Sequence, residues 1–192
     1  MTTTNDSNQI STMNITTWKI DTEASSVEFT SRMRLMFVAK VTVKGRFTDV
    51  TGTLTVDERE PANSHSTITI GTASLDTKMA ARDKHLYSAD FFDVEHYPSM
   101  TFTSQHVEVL DQAAGHYRIA GNLTIREVTH EVSLDARDIS SKTPGESRFA
   151  FHLTTVLDRR DWGITWSRPM QKIADQVNLE LTVQFVPASS ID

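Results

Sequence analysis

The chain has 192 residues, 38% of them apolar, a formal net charge of −6 and no cysteine. That length suits one domain able to bury its own core. The acidic balance argues against a nucleic-acid footprint or a general attraction to anionic lipid, and the missing thiols exclude disulfides, thiolate metal sites and cysteine nucleophiles.

The opening residues, MTTTNDSNQISTMNITT, have no basic start and no apolar run. Their low hydrophobicity predicts a disordered tail over residues 1–17. They do not read as a secretory leader, and no later stretch is long and apolar enough for a membrane helix. The expected compartment is the cytoplasm.

From Val27 the residues alternate. Val27, Phe29, Ser31, Met33, Leu35, Phe37, Ala39, Val41, Val43, Gly45 and Phe47 share one parity. Glu28, Thr30, Arg32, Arg34, Lys40, Thr42, Lys44 and Arg46 share the other, with Met36 and Val38 as apolar exceptions on that wet side. Period-two alternation puts one sheet face on a core and the other in water. A straight strand of this length would span about 65 Å, so a bend, bulge or turn is expected inside it.

The segment RDKHLYSADFFDVEHYP, residues 82–98, breaks the strand pattern. Asp76 or Thr77 can cap a helix beginning near Lys78, and MAARDKHLY is rich in helix formers. Pro98 stops whatever helix remains. One or two short helices are expected here, lying across a barrel end or against its wall.

Alternation then resumes. Phe102 and Ser104 are followed by Tyr117, Ile119, Gly121, Leu123 and Ile125. The parity flips across Arg126-Glu127 to Val128, His130, Val132, Leu134 and Ala136, as a tight hairpin requires. Phe149, Phe151, Leu153 and Thr155 come next, then Val177, Leu179, Leu181, Val183 and Phe185. About eight strands with short connections predict an all-β, antiparallel barrel spanning residues 18–187, followed by a short tail over 188–192. A two-sheet sandwich is the alternative.

Several residue groups invite a chemical reading. His85 and His96 lie among Asp83, Asp90, Asp93 and Glu95, a composition that could hold a metal or move a proton. No HExxH spacing occurs, and no GxSxG elbow. The plainer reading makes Arg82, Asp83 and His85 a hydrogen-bonded cap that holds the helical insert, with contact to a ligand head group as a second role. Phe91 and Phe92 cannot both face water cheaply, so at least one should wedge into the barrel. The cluster Asp158, Arg159, Arg160, Asp161 reads as a mutually paired turn, or as a group orienting a polar head. The inward parity itself either fills the barrel or leaves room for a guest. Small residues at Ser31, Ala39, Gly45, Ser104 and Gly121, with adaptable methionines, favour room.

Six stretches, in order, resemble one family. They are WKIDTEASSVEF (18–29), VKGRFTDVTGTL (43–54), RDKHLYSADFFDVEHYPSMTFTS (82–104), GNLTIREVTHEVSL (121–134), DRRDWGITW (158–166) and IADQVNLELTV (173–183). The chain is similar to the YceI-like proteins, lipocalin-like polyisoprenoid-binding barrels. The resemblance implies an eight-stranded antiparallel barrel with a short helical insert and a long apolar tunnel. It implies storage or transport of a long-chain polyisoprenoid or isoprenoid quinone, with no catalytic reaction and no cofactor besides the bound lipid. The chain departs from the family where a histidine often stands near Met33 or Arg34, and where Arg126-Glu127 replaces Arg-Gly.

The tunnel is expected to be lined by Phe29, Met33, Phe37, Phe47, Phe91, Phe102, Tyr117, Ile119, Gly121, Phe149, Phe151, Leu179 and Leu181. Head-group candidates are Arg82, Asp83, His85, Arg160 and Asp161. No metal, nucleic acid or membrane span is expected, and a second copy of the chain is the protein partner left open. Two alternatives stand beside this reading: an enzyme acting on an isoprenoid-like lipid through His85 and Asp83, and a stress-response interaction module whose tunnel is incidental.

Overall fold

The alternating segments are strands, and they close on themselves. In a computed structural model, residues 15–35, 39–57, 59–141, 148–169 and 171–188 are described, Leu35 and Gln171 by their backbone alone. The strands are β1 (Ile15–Ile20), β2 (Ser26–Leu35), β3 (Ala39–Phe47), β4 (Val50–Asp57), β5 (His65–Gly71), β6 (Leu75–Asp76), β7 (Ser99–Asp111), β8 (His116–Ile125), β9 (Val128–Asp138), β10 (Phe149–Asp158) and β11 (Gln171–Pro187). Among the described residues one short α-helix, α1 (Ala80–Leu86), lies between β6 and β7.

Each strand pairs antiparallel with its neighbours, and the β1–β11 pairing closes the ring β1-β4-β5-β7-β8-β9-β10-β11. β1 and β2 both lie on one edge of β11, end to end. β4 and β3 continue this arrangement on the next position, and β5 and β6 on the one after. The architecture is therefore an eight-stranded antiparallel barrel in which the first three strands are each broken once. Closure through β1–β11 pairs strand edges that an open sheet of this size would have to protect.

The long alternating run is a hairpin. Val27 pairs with Phe47 and Leu35 with Ala39, so one parity stays inward through both arms. Phe37 and its neighbours at the tip, residues 36–38, lie outside the described residues. At the other tight turn, Ile125 pairs with Val128 across Arg126-Glu127, and Arg126 carries a φ of 57°. Glu127 stays at negative φ, the φ pattern of a type II′ turn, so only one non-glycine bears the left-handed cost. The Arg126 guanidinium lies 5.6 Å from the Tyr97 ring centre, a cation–π contact that offsets part of it.

Two expectations require correction. Residues 15–17 are not tail: Ile15 pairs with Asp57 and Thr17 with Thr55, because the edge of β4 offers backbone partners to a segment too polar to bury itself. Residues 1–14 lie outside the described residues. The helix begins at Ala80, with Met79 rather than Asp76 or Thr77 at its cap, and no side chain caps it. Asp76 instead accepts from the Lys78 amide at 2.7 Å, in a turn that holds Lys78 at a φ of 61° and delays the helix.

The topology sorts the connections onto two ends. The β2–β3 tip, the α1 segment, the Arg126 turn and the β10–β11 connection all lie at one end. The β4–β5, β7–β8 and β9–β10 connections lie at the other. The core between them contains the fully buried Val50, Ala136 and Val183.

Candidate functional site

The α1 segment is fixed to the barrel through one buried threonine. Thr77 is 4% exposed, and Arg82 and Asp83 engage all of its polar atoms. Its amide donates to Asp83 Oδ1 at 3.1 Å and its hydroxyl donates to the same oxygen. Arg82 Nε donates to the hydroxyl at 2.7 Å and Arg82 Nη2 to the carbonyl at 2.6 Å. The Thr77 methyl lies over Gly45 on β3, where a Cβ would come within 2.7 Å of it and 2.5 Å of the Phe29 ring. Glycine is needed there for this close approach. Tyr87 adds a second tie, its hydroxyl donating to the Leu75 carbonyl at 2.7 Å. Burial, and next the charge of Asp83, push the Tyr87 phenol up from its ordinary value, so it stays a donor at neutral pH.

Under this helical cover lies a cavity of about 530 Å³. Phe29, Met33, Val43 and Phe47 supply one wall, and Val177 and Leu179 of β11 continue it. Phe91 and Phe92 both enter from the insert: Phe91 is buried, and Phe92 meets Phe47 edge-on at 5.5 Å. Met100, Leu123, Ile125 and Leu157 form the floor. Trp162 closes the end. The short 3-10 turn Arg159–Trp162 tucks the indole inward, 2% exposed, and its N–H donates to the Leu123 carbonyl at 3.1 Å. The volume falls within the range of small-molecule and cofactor sites, and the lining is almost wholly carbon.

Ser31, Arg32, Arg82, His85 and Arg159 are the polar side chains that border this cavity among the described residues, and Ser31 and Arg159 are the most deeply set. Ser31, buried on β2, has a hydroxyl with no hydrogen-bond partner in the protein. A buried hydroxyl without a partner is costly, and a guest with a polar group could satisfy it. Arg159, its side chain 9% exposed, donates to the Ala174 carbonyl at 3.1 Å and to the Ile164 carbonyl, and pairs with Asp175 at 3.0 Å. It therefore secures the irregular stretch of β11 between Ile173 and Val177, where the register shifts. At the rim, the His85 ring stands edge-on to Phe91 at 5.0 Å and to Trp166 at 4.9 Å. Its Nε2 lies 3.0 Å from Asp90 Oδ2.

Of the residues expected to line a tunnel, Phe29, Met33, Phe47, Phe91 and Leu179 meet at this cavity. Phe102, Tyr117, Ile119, Gly121, Phe149, Phe151 and Leu181 do not reach it, and Phe37 lies outside the described residues. The opposite half of the barrel is packed with rings instead. Trp18 meets Phe149 at 4.7 Å, Phe149 stacks on Phe151 at 6.4 Å, and Phe151 contacts Tyr117 and Phe185 at 6.5 and 6.3 Å. Inward parity places a side chain at the axis but cannot say whether its neighbours fill the space. Gly121 is part of the packing: a Cβ there would lie 2.5 Å from the Thr103 carbonyl oxygen and 2.6 Å from the Phe102 ring.

Among the head-group candidates, Arg82 and His85 border the cavity, while Asp83, Arg160 and Asp161 do not. Arg160 is turned to Asp158, bonding Oδ1 at 2.9 Å through Nε, and its guanidinium holds the Asp158 carboxyl down at about 2. The acid-base cluster is thus a paired turn. His85 meets Asp90, and Asp83 is committed to Thr77, so the two residues of a supposed catalytic pair are not brought together. Among the described residues no group of three or more His, Asp or Glu could hold a metal. No helix among them is long and apolar enough to cross a membrane. Sequence reasoning named Arg159 only within the Asp158–Asp161 cluster and did not assign Trp162 or Trp166 to the site. The alternation ends before them, and their signal was only the aromatic residues flanking Gly163.

The YceI-like domain model matches residues 18–185. Protein YceI of Escherichia coli O157:H7 is 34% identical over 171 residues, covering 88% of this chain and 86% of that protein. Among solved structures, Burkholderia cenocepacia BcnA superposes with a TM-score of 0.72 at 20% identity, covering 86% of this chain and 98% of that one. A polyisoprenoid binding domain from Saccharophagus degradans, implicated in plant cell wall breakdown, gives 0.62 at 14% identity, covering 88% and 98%.

Proposed function

This chain belongs to the YceI-like family, and we propose that its barrel binds a long-chain polyisoprenoid, in the form of an isoprenoid alcohol or isoprenoid quinone, to store or carry it. The observation that carries the reading is the carbon-lined cavity of about 530 Å³ beneath the helical cover. The fold shared with a polyisoprenoid binding domain supports the same ligand class. A guest in this space meets aromatic and aliphatic carbon on nearly every side, which rewards chain length and flexibility rather than polarity. About twenty buried carbons at ~0.8 kcal/mol each give roughly 16 kcal/mol gross. Ordering a flexible chain removes a large part of this and still leaves room for tight binding.

The polar end of the guest belongs at Ser31 or at the rim near His85 and Arg82, where hydrogen-bonding side chains border the cavity. The separation of His85 from Asp83 favours a binding protein over an enzyme. Mass spectrometry of an organic extract of the purified protein tests the reading. An isoprenoid in the extract, or saturable uptake of an added polyisoprenol, is the expected result. An empty extract together with no uptake overturns it.

A further inference from the structure

The outer face of the β2–β3 hairpin poses a separate question. Lys40 pairs with Arg34, and Arg34 with Lys172, so three cations stand side by side across three adjacent strands. Arg32 follows on the same face, and all four are exposed. Like charges directly opposite one another destabilise a sheet. No acid relieves them: among the described residues none of the four forms an ion pair, and Asp175, the one acid in the cleft they line, is held by Arg159 and Arg160 at 3.0 and 3.3 Å. The acids that β2 and β11 place on this face beyond the cleft, Glu28 and Glu180, face each other at the far end of the ladder. A chain of net charge −6 therefore concentrates unpaired positive charge at one place.

That place is the end of the barrel where the cavity lies. Arg32, Met33 and Ile173 border both the cavity and the basic cleft. Cations beside the half-buried Met33 and Ile173 at this border match an anionic bilayer surface better than a soluble polyanion, because the bilayer satisfies both chemistries.

We propose that the face formed by Arg32, Arg34, Lys40 and Lys172 docks this protein on an anionic membrane surface, with the cavity end towards the lipid. Docking there brings the cavity within reach of guests too apolar to cross water. Net charge argues against a general attraction to anionic lipid; the attraction proposed here is local, because the charges are segregated.

Sedimentation of the full chain with phosphatidylcholine vesicles, with and without phosphatidylglycerol and free of isoprenoid, tests the surface independently of the cavity's guest. Binding is expected on the anionic vesicles alone and is lost at high salt. Each cation near the surface contributes about fivefold, so Arg34→Gln with Lys40→Gln weakens binding about 25-fold. The same double change at Lys19 and Arg148, exposed cations elsewhere, leaves it within about twofold of the wild type. The Arg34/Lys40 variant keeps or raises its melting temperature, since it relieves cross-strand repulsion. Equal binding to both vesicle types, no binding, or binding insensitive to Arg34 and Lys40 overturns the proposal. So does tighter, equally salt-sensitive binding to a short DNA duplex, which would assign the face to a soluble polyanion.

Discussion

Replacing Asp83 with alanine removes the acceptor on which the helical cover depends. Its Oδ1 takes two hydrogen bonds from Thr77, one from the amide at 3.1 Å and one from the hydroxyl. Thr77 is 4% exposed, so water does not replace either bond without opening the fold. A buried donor left without a partner costs about 1–3 kcal/mol, and the hydroxyl can turn to recover part of its share, which puts the total at about 2–4 kcal/mol. In a domain of this size that lowers the melting temperature by roughly 4–16 °C. Asp83→Asn keeps the acceptor oxygen and should lose much less. Thermal unfolding followed by circular dichroism reads both variants, and uptake of a polyisoprenol should fall along with the cover's stability. An Asp83→Ala protein that melts like the wild type would refute the reasoning. If it also lost a catalytic rate, the residue would be chemical rather than structural.

Ser31→Ala should raise the melting temperature of the unliganded protein by a few degrees, because it deletes an unpartnered buried hydroxyl, and should weaken a polyisoprenol several-fold more than its hydrocarbon analogue; a fall in melting temperature would show that the hydroxyl has a native partner. Phe102→Ala removes a buried ring between the cavity floor and the aromatic end, at a cost of about 3–5 kcal/mol, and should shift preference towards longer chains in a competition assay. Asp158, held at about 2 against an ordinary 3.8 chiefly by the Arg160 guanidinium, contributes stability that is present above its unfolded value and is lost as the pH falls through about 2. Asp158→Asn should therefore melt slightly below the wild type at neutral pH and converge with it on acidification, the size being small because the pair is exposed.

The barrel was legible because alternation is a local property. Val27 to Phe47 declares its inward face residue by residue, and the parity flip across Arg126-Glu127 marks a two-residue turn. What alternation does not encode is how far inward-facing side chains interpenetrate. Phe29 and Phe151 carry the same pattern, yet Phe29 borders open space while Phe151 is engaged by Tyr117, Phe149 and Phe185. The difference depends on partners distant in sequence. Arg159 was hidden for a related reason. A charged residue in a charged run reads as a solvated turn, and its burial follows from the irregular stretch of β11 whose carbonyls it caps.

The two halves of the barrel divide their labour accordingly. The aromatic end supplies dense packing. The helical end carries the departures: a Thr77 saturated by two charged neighbours, a glycine pressed against Phe29, an unpartnered Ser31 and a buried Arg159. The unpartnered Ser31 costs stability that a filled core would have kept, and each of these features borders or supports the cavity. Proteins tolerate such departures from local consistency chiefly where function requires them. A guest that fills the cavity should therefore recover part of that cost. Saturating polyisoprenol should stabilise the fold by RT ln(1 + [L]/Kd), about 2.7 kcal/mol at a hundredfold excess over Kd, which raises the melting temperature by roughly 5–11 °C here. The same ligand should gain nothing in a protein whose cavity is filled by Val43→Trp. Equal stabilisation of both proteins would move the binding site out of the helical end and remove the reason offered for its irregularities.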